Sequence, residues 1–186
     1  MRRVSMLLTA AAFVAGSMTT TLASATVPIP GSKLKIGTVH DPHIRLEVTK
    51  VISTDGTNNT PSDPVLHGGS IRVFSTAGDG FDHTYPLPVS LQWHYYGLVG
   101  QNRGYDYIDS TKTNGPIGVV RVRNNKMTRV IGTGLDFSLH ANPNPVTVVL
   151  TLGDRSWCAS FGGAVSKFIP DTKFTSLRAP APASCP

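Results

Sequence analysis

The side chains able to carry chemistry fall in a few short stretches. In "HDPHIRLE", His40 and His43 flank Asp41 and Pro42, and His83 follows in "FDHTY". Three imidazoles can hold a metal if the fold brings them together, so these are the metal candidates. Pro42 makes their segment extended, so His40 and His43 need not face one way. The chain has no HExxH and no Cys/His quartet at zinc spacing. "STDGTNN" and "AGDGFD" offer oxygen ligands, but neither matches the spaced-ligand calcium loop. No cofactor is implied.

Hydrolytic chemistry has weaker footing. There is no Gly-x-Ser-x-Gly elbow, and Ser70 in "GGSIR" sits inside a strand pattern. Glycoside hydrolysis needs two placed carboxylates. Asp79, Asp82, Asp106 and Asp109 are the candidates, although turn aspartates commonly serve to bond nearby backbone. No residue is assigned as catalytic, and enzymatic activity stays open.

The densest feature is aromatic. "LQWHYYGLVGQNRGYDYIDS" carries Trp93, Tyr95, Tyr96, Tyr105 and Tyr107. Flat rings beside Asn and Asp suit sugars, so Trp93, Tyr95, Tyr105 and Tyr107 are the ligand-binding candidates. Two placements stay open. Tyr105 and Tyr107 share one face of a strand and can form an exposed strip. If instead Asp106 avoids the core, as an unpaired carboxylate should, the two tyrosines point inward. Arg103 alone does not make the basic groove that nucleic acid needs, so no nucleic-acid partner is expected.

These residues must be held by strands. The dominant period is two in "HIRLEV", "SIRVFS", "LDFSL" and "VTVVLTL". On that alternation Leu135, Phe137 and Leu139 form one inward set, and Val148, Leu150 and Leu152 another. "GVVRVRNNKMTRVIG" reads as a hairpin, with Asn124 and Asn125 in the positive-φ positions of a tight turn. Turn-rich segments such as "STDGTNNTPSDP" and "HANPNP" lie between. Glu47 is the sole glutamate, and no window carries a helical face. The expectation is an all-β chain, an antiparallel β-sandwich of about eight to ten strands, with a small β-barrel as the alternative.

The first 25 residues read as a secretory signal peptide. Arg2 and Arg3 precede a short apolar run, and Ala23-Ser24-Ala25 is a small-x-small cleavage site. Residues 26–186 then form a single domain, and no later segment is apolar and long enough to span a bilayer. Removing Arg2 and Arg3 takes the formal charge from +6 to +4, a scattered excess without any Lys/Arg run. It suits an anionic surface such as an acidic polysaccharide, and equally serves ordinary solubility. In an oxidising compartment the only two cysteines, Cys158 and Cys185, most simply form one disulfide. It would tie down the Pro-rich tail "APAPASCP", which has little propensity of its own.

The blocks "LHGGSIRVFSTAGDGFDHTYPLP", "GYDYIDS", "GPIGVVRV", "GLDFSL" and "NPVTVVLTLGDRSWCASFGG…KF…APAPASCP" resemble an uncharacterised β-rich module found in exported proteins of environmental bacteria. The resemblance runs from about Pro64 onward. It is most specific from Cys158 to Cys185. It implies export, an all-β fold and the disulfide, and it implies no catalytic residue. Trp157 stands where that pattern has tyrosine, so a role needing a phenol there is weakened.

The functional expectation is an exported, non-enzymatic β-sandwich for binding or assembly outside the cytoplasm. Its partner would be an extracellular polysaccharide or cell-surface component. The alternatives are a small extracellular hydrolase, a metal-binding protein with a His/Asp site, and a subunit that self-associates through edge strands.

Overall fold

The structure is a computed structural model, described here for residues 25–39, 41–49, 52, 58–98 and 101–186. The expected signal segment (apart from Ala25) and His40 lie outside the described residues.

In chain order the strands are β1 (Val27–Pro28), β2 (Gly31–Gly37), β3 (His43–Thr49), β4 (Gly69–Ser75), β5 (Phe81–Leu87), β6 (Trp93–Leu98) and β7 (Gln101–Ile108). There follow β8 (Ile117–Arg123), β9 (Met127–Thr133), β10 (Val146–Leu152), β11 (Arg155–Phe161), β12 (Ser166–Ile169) and β13 (Lys173–Ala179). One short helix, α1 (Pro64–His67), precedes β4. The strands make two sheets, one of five in the order β1-β11-β10-β4-β5 and one of eight in the order β12-β13-β2-β3-β9-β8-β7-β6. Every pairing is antiparallel except β1 with β11. Neither sheet closes, so the fold is a β-sandwich and not a barrel.

The alternation in the sequence accounts for the core. Paired residues across a ladder share a face. Leu34 pairs with Leu46 and Leu46 with Val130, while Ile71 pairs with Leu150 and Leu150 with Trp157. All of these are buried, and the two inner faces meet over them. Val148, Leu150 and Leu152 are buried as the alternation requires.

The expected strand "LDFSL" forms differently. Leu135, Phe137 and Leu139 are buried on one side, yet the segment is extended chain without a ladder. Its side chains fill the core where β5 ends the smaller sheet, and Phe137 packs against Phe81, His83 and Tyr85. The β8–β9 turn also departs from expectation. It has three residues, Asn124 to Lys126, and of these only Asn125 takes positive φ.

The sequence reading undercounts the strands, thirteen being present among the described residues. The stretch before the Pro-rich tail supplies two of them. "KFTSLRA" forms β13, between β12 and β2 in the larger sheet, with Phe174 and Ser176 turned to the core. Cys158 points away from the core on β11 and is covered, being joined to Cys185 with 5.9 Å between Cα atoms. The tail thus folds back over the outer side of the smaller sheet.

Candidate functional site: a basic sheet face and the cleft at its edge

The two outer faces differ in charge. On the smaller sheet, Thr147 faces Ser160, Thr151 faces Ser156, and Arg72 is neutralised by both carboxylate oxygens of Asp82 at 2.8 and 2.6 Å. On the larger sheet, Lys and Arg recur among the residues between the buried positions. Leu34 and Ile36 point inward, so Lys33 and Lys35 point outward. By the same parity Arg45, Arg121, Arg123 and Arg129 face outward, joined at the far edge by Lys167 and Lys173. One continuous row runs Lys33, Glu47, Arg129, Arg121, Asp106, His94 across six strands. At about 4.8 Å per strand it spans about 24 Å.

Two carboxylates organise the arginines. Glu47 accepts from Arg45 at 3.1 Å and lies 3.5 Å from Arg129. Asp106 accepts a fork from Arg123 at 2.9 and 2.8 Å and lies 3.8 Å from Arg121. Each acid therefore holds two guanidiniums, and the face keeps a surplus of positive charge. Like charges even stand directly opposite each other, Lys35 against Arg45 and Arg121 against Arg129. Such pairs cost stability.

At the β6 edge this face opens into a cleft of about 390 Å³ lined by Tyr96, Arg103, Arg123, Asn124 and Lys126. The Arg123 guanidinium carbon lies 3.5 Å from the centroid of the Tyr96 ring, a cation–π stack. The Asn124 amide donates to the Arg103 carbonyl at 2.9 Å, which ties the β8–β9 turn to β7. A second concavity of about 420 Å³ lies beside the C-terminal tail, between Pro145, Gly162 and Pro180. Its one carboxamide, Asn144, is taken up by the Gly163 amide and the Ser166 hydroxyl.

The aromatic candidates lie mostly elsewhere. Trp93, Tyr105 and Tyr107 are buried, at 3, 0 and 1 % exposure, so they form no exposed strip. The reason is the one Asp106 supplies: its carboxylate goes to the arginines outside, and the alternation sends both tyrosines inward. Trp93 packs on Tyr107 and Tyr95 on Tyr105, with ring centroids 5.0 and 6.0 Å apart. Tyr95 is half-buried and donates its hydroxyl to Asp63 at 2.8 Å. Burial, and then the Asp63 carboxylate, push its phenol up to about 12. Tyr96, noted but not chosen from the sequence, is the ring that reaches the surface.

The histidine candidates do not converge. His43 stands at the end of β3 over Gly37, with Nδ1 3.0 Å from the Asp41 carbonyl. His83 is on the other sheet, stacked between Phe81 and Tyr85. Among the described residues no three His, Cys, Asp or Glu side chains gather as a metal set.

The four carboxylate candidates are each engaged. Asp79 accepts from Ser138 at 2.6 Å and from the His140 and Ala141 amides. Asp109 is buried and accepts from the Thr113 and Asn114 amides at 3.0 and 2.8 Å and from Thr111 at 3.2 Å. Burial alone would raise the Asp109 carboxyl, but these donors outweigh it and hold it below the usual value. The Ser138 hydroxyl lowers Asp79, and Arg72 lowers Asp82. A general acid needs the opposite shift.

The features that define this molecule are thus an antiparallel two-sheet sandwich, one neutral outer face and one cationic outer face. Compared with known protein families, curated proteins and solved structures, the chain matches none.

No run of charge in the sequence marks the basic face, because its cations are spread along the chain. The signal lies in parity: "KLKI", "RLE", "RVR" and "TRV" each alternate a charge with an apolar or small residue. Only the strand order shows that these charged positions meet on one side.

Proposed function

We propose that this is an exported β-sandwich module that binds an acidic polysaccharide on the outer face of its larger sheet. The carrying observation is the pair of like-charge juxtapositions, Lys35 with Arg45 and Arg121 with Arg129, on a face already rich in Lys and Arg. A surface shaped for stability alone would alternate signs here. A flat, extended, cationic surface instead favours a long anionic ligand that meets several charges at once. Export is supported by the signal-like N-terminal stretch and by the Cys158–Cys185 bond. Among the described residues no helix is long and apolar enough to cross a membrane.

The test is retention of the mature protein on immobilised polygalacturonate against a neutral galactan. Binding should weaken as salt shortens the Debye length from about 30 Å at 0.01 M to about 8 Å at 0.15 M. The double variant Lys33→Glu/Lys35→Glu should lose about tenfold in affinity, or 1.4 kcal/mol. Equal retention on both matrices would sink the reading.

Self-assembly through β6 is the second reading. Among the described residues this strand has no partner on its outer side, and Leu91 and Leu98 beside it are 92 and 74 % exposed. Sedimentation of wild type and Leu98→Lys would decide it: a concentration-dependent oligomer that the lysine abolishes is required.

A further inference from the structure

We infer that the cleft at the β6 edge is a subsite for one anionic sugar residue, a uronate or a sulfated sugar, which anchors the polysaccharide on the basic face. This rests on the polysaccharide reading and deepens it.

Three observations converge on the cleft. The first is its shape: about 390 Å³ lies within the range of small-ligand sites. The second is its rigidity. Arg123 is fixed by two short contacts to Asp106, and its guanidinium backs one side of the Tyr96 ring. Tyr96 is 45 % exposed, and an aromatic side chain at a cleft suits the apolar face of a pyranose. The Asn124 to Arg103 backbone bond fixes the two strand ends relative to each other. The third is its charge. Glu47 and Asp106 engage the arginines along the row, but Arg103 and Lys126 have no carboxylate partner among the described residues. An anion entering the cleft therefore meets unneutralised charge beside a sugar-sized aromatic platform.

A guanidinium presents a planar fork that matches two oxygens of an oxyanion, and Lys adds a point charge. Arg123, which lines the cleft, holds the Asp106 carboxylate in this way. A uronate and a sulfated sugar share this chemistry.

The experiment titrates ¹⁵N-labelled mature protein with trigalacturonate, its neutral galactose counterpart and a sulfated galactose trisaccharide. Expected are amide shifts confined to Tyr96, Arg103, Asn124, Lys126 and their neighbours, with the two anionic trisaccharides and not with the neutral one. Tyr96→Ala and Lys126→Ala should each weaken trigalacturonate at least fivefold, and Lys35→Ala less than twofold. Lys126 is an exposed turn residue, so its variant reports even if Tyr96→Ala unfolds. Shifts spread along the Lys33–Arg121 row, or equal losses from Lys35→Ala, would overturn the subsite and leave the binding face standing. Equal shifts with the neutral trisaccharide would overturn the role of charge in the subsite. Failure of polygalacturonate itself to bind would remove the polysaccharide reading, and the subsite with it.

Discussion

Arg121 on β8 and Arg129 on β9 stand directly opposite each other on the outer face of the larger sheet. Each turns toward a different carboxylate, Arg121 to Asp106 and Arg129 to Glu47. The two ion pairs relieve part of the repulsion, and Lys33 on β2 also stands opposite Glu47. Lys35, against Arg45, has the same like-charge relation with no acid of its own among the described ion pairs.

That relation separates stability from binding. Lys35→Glu turns a repulsive cross-strand pair into an attractive one, so it should raise stability by about 0.2–1 kcal/mol. Affinity for polygalacturonate should fall in the same variant. Thermal melts and column retention read the two effects. A variant that loses stability and keeps its affinity would contradict the assignment of this face.

The buried tyrosines should behave as core residues. Tyr105→Ala and Tyr107→Ala should each cost about 3–5 kcal/mol, in the range of large-to-small aromatic truncations. Denaturant melts give the value. Any loss of ligand binding should track the unfolded fraction. Binding lost at unchanged stability would return these rings to a ligand strip.

Asp109 gives a pH signature. Its carboxyl is held below the ordinary aspartate value, about 3.9 in an unfolded chain. Its contribution is therefore complete above that value and is lost as pH falls through the lower, folded value. Wild-type melting temperature should drop below about pH 4. Asp109→Asn should melt lower at pH 6, and its profile should be flatter in the acid window. Parallel profiles for the two proteins would show that the carboxylate does not hold this loop.

The bond between Cys158 and Cys185 closes a loop of 27 residues. Chain entropy assigns it about 3–4 kcal/mol, so Cys158→Ser should destabilise by an amount of that order. Intact mass should rise by two hydrogens on reduction. Two thiols open to alkylation in the unreduced, denatured protein would refute the bond.

Much of the fold could be read from period-two patterning, since burial on one face is a local property of each strand. Val148, Leu150 and Leu152 are buried for that reason. So are Leu135, Phe137 and Leu139, although their segment has no ladder partner: side-chain alternation reports burial and does not report hydrogen bonding. The inward turn of Tyr105 and Tyr107 also followed from local chemistry, through the charge on Asp106. The site was harder to see. Lys33, Arg129 and Arg121 are far apart in the chain and meet only because β2, β3, β9 and β8 are neighbours, a matter of topology. Tyr96 differs from Tyr95 by one step of alternation, and only the register of β6 on β7 tells which ring faces out.

Residues 31–37 pair with residues 173–179, so the larger sheet contains a ladder that joins the two ends of the domain. Contacts of such long sequence separation slow folding, because loop closure must come before the contacts that reward it. During synthesis β2 can find β3 early, but its other side stays an open edge until β13 emerges. A chain threaded across a membrane in unfolded form would therefore reach its native state only after its final strand arrived, and truncation before Lys173 would leave a sticky edge in place of a finished sheet.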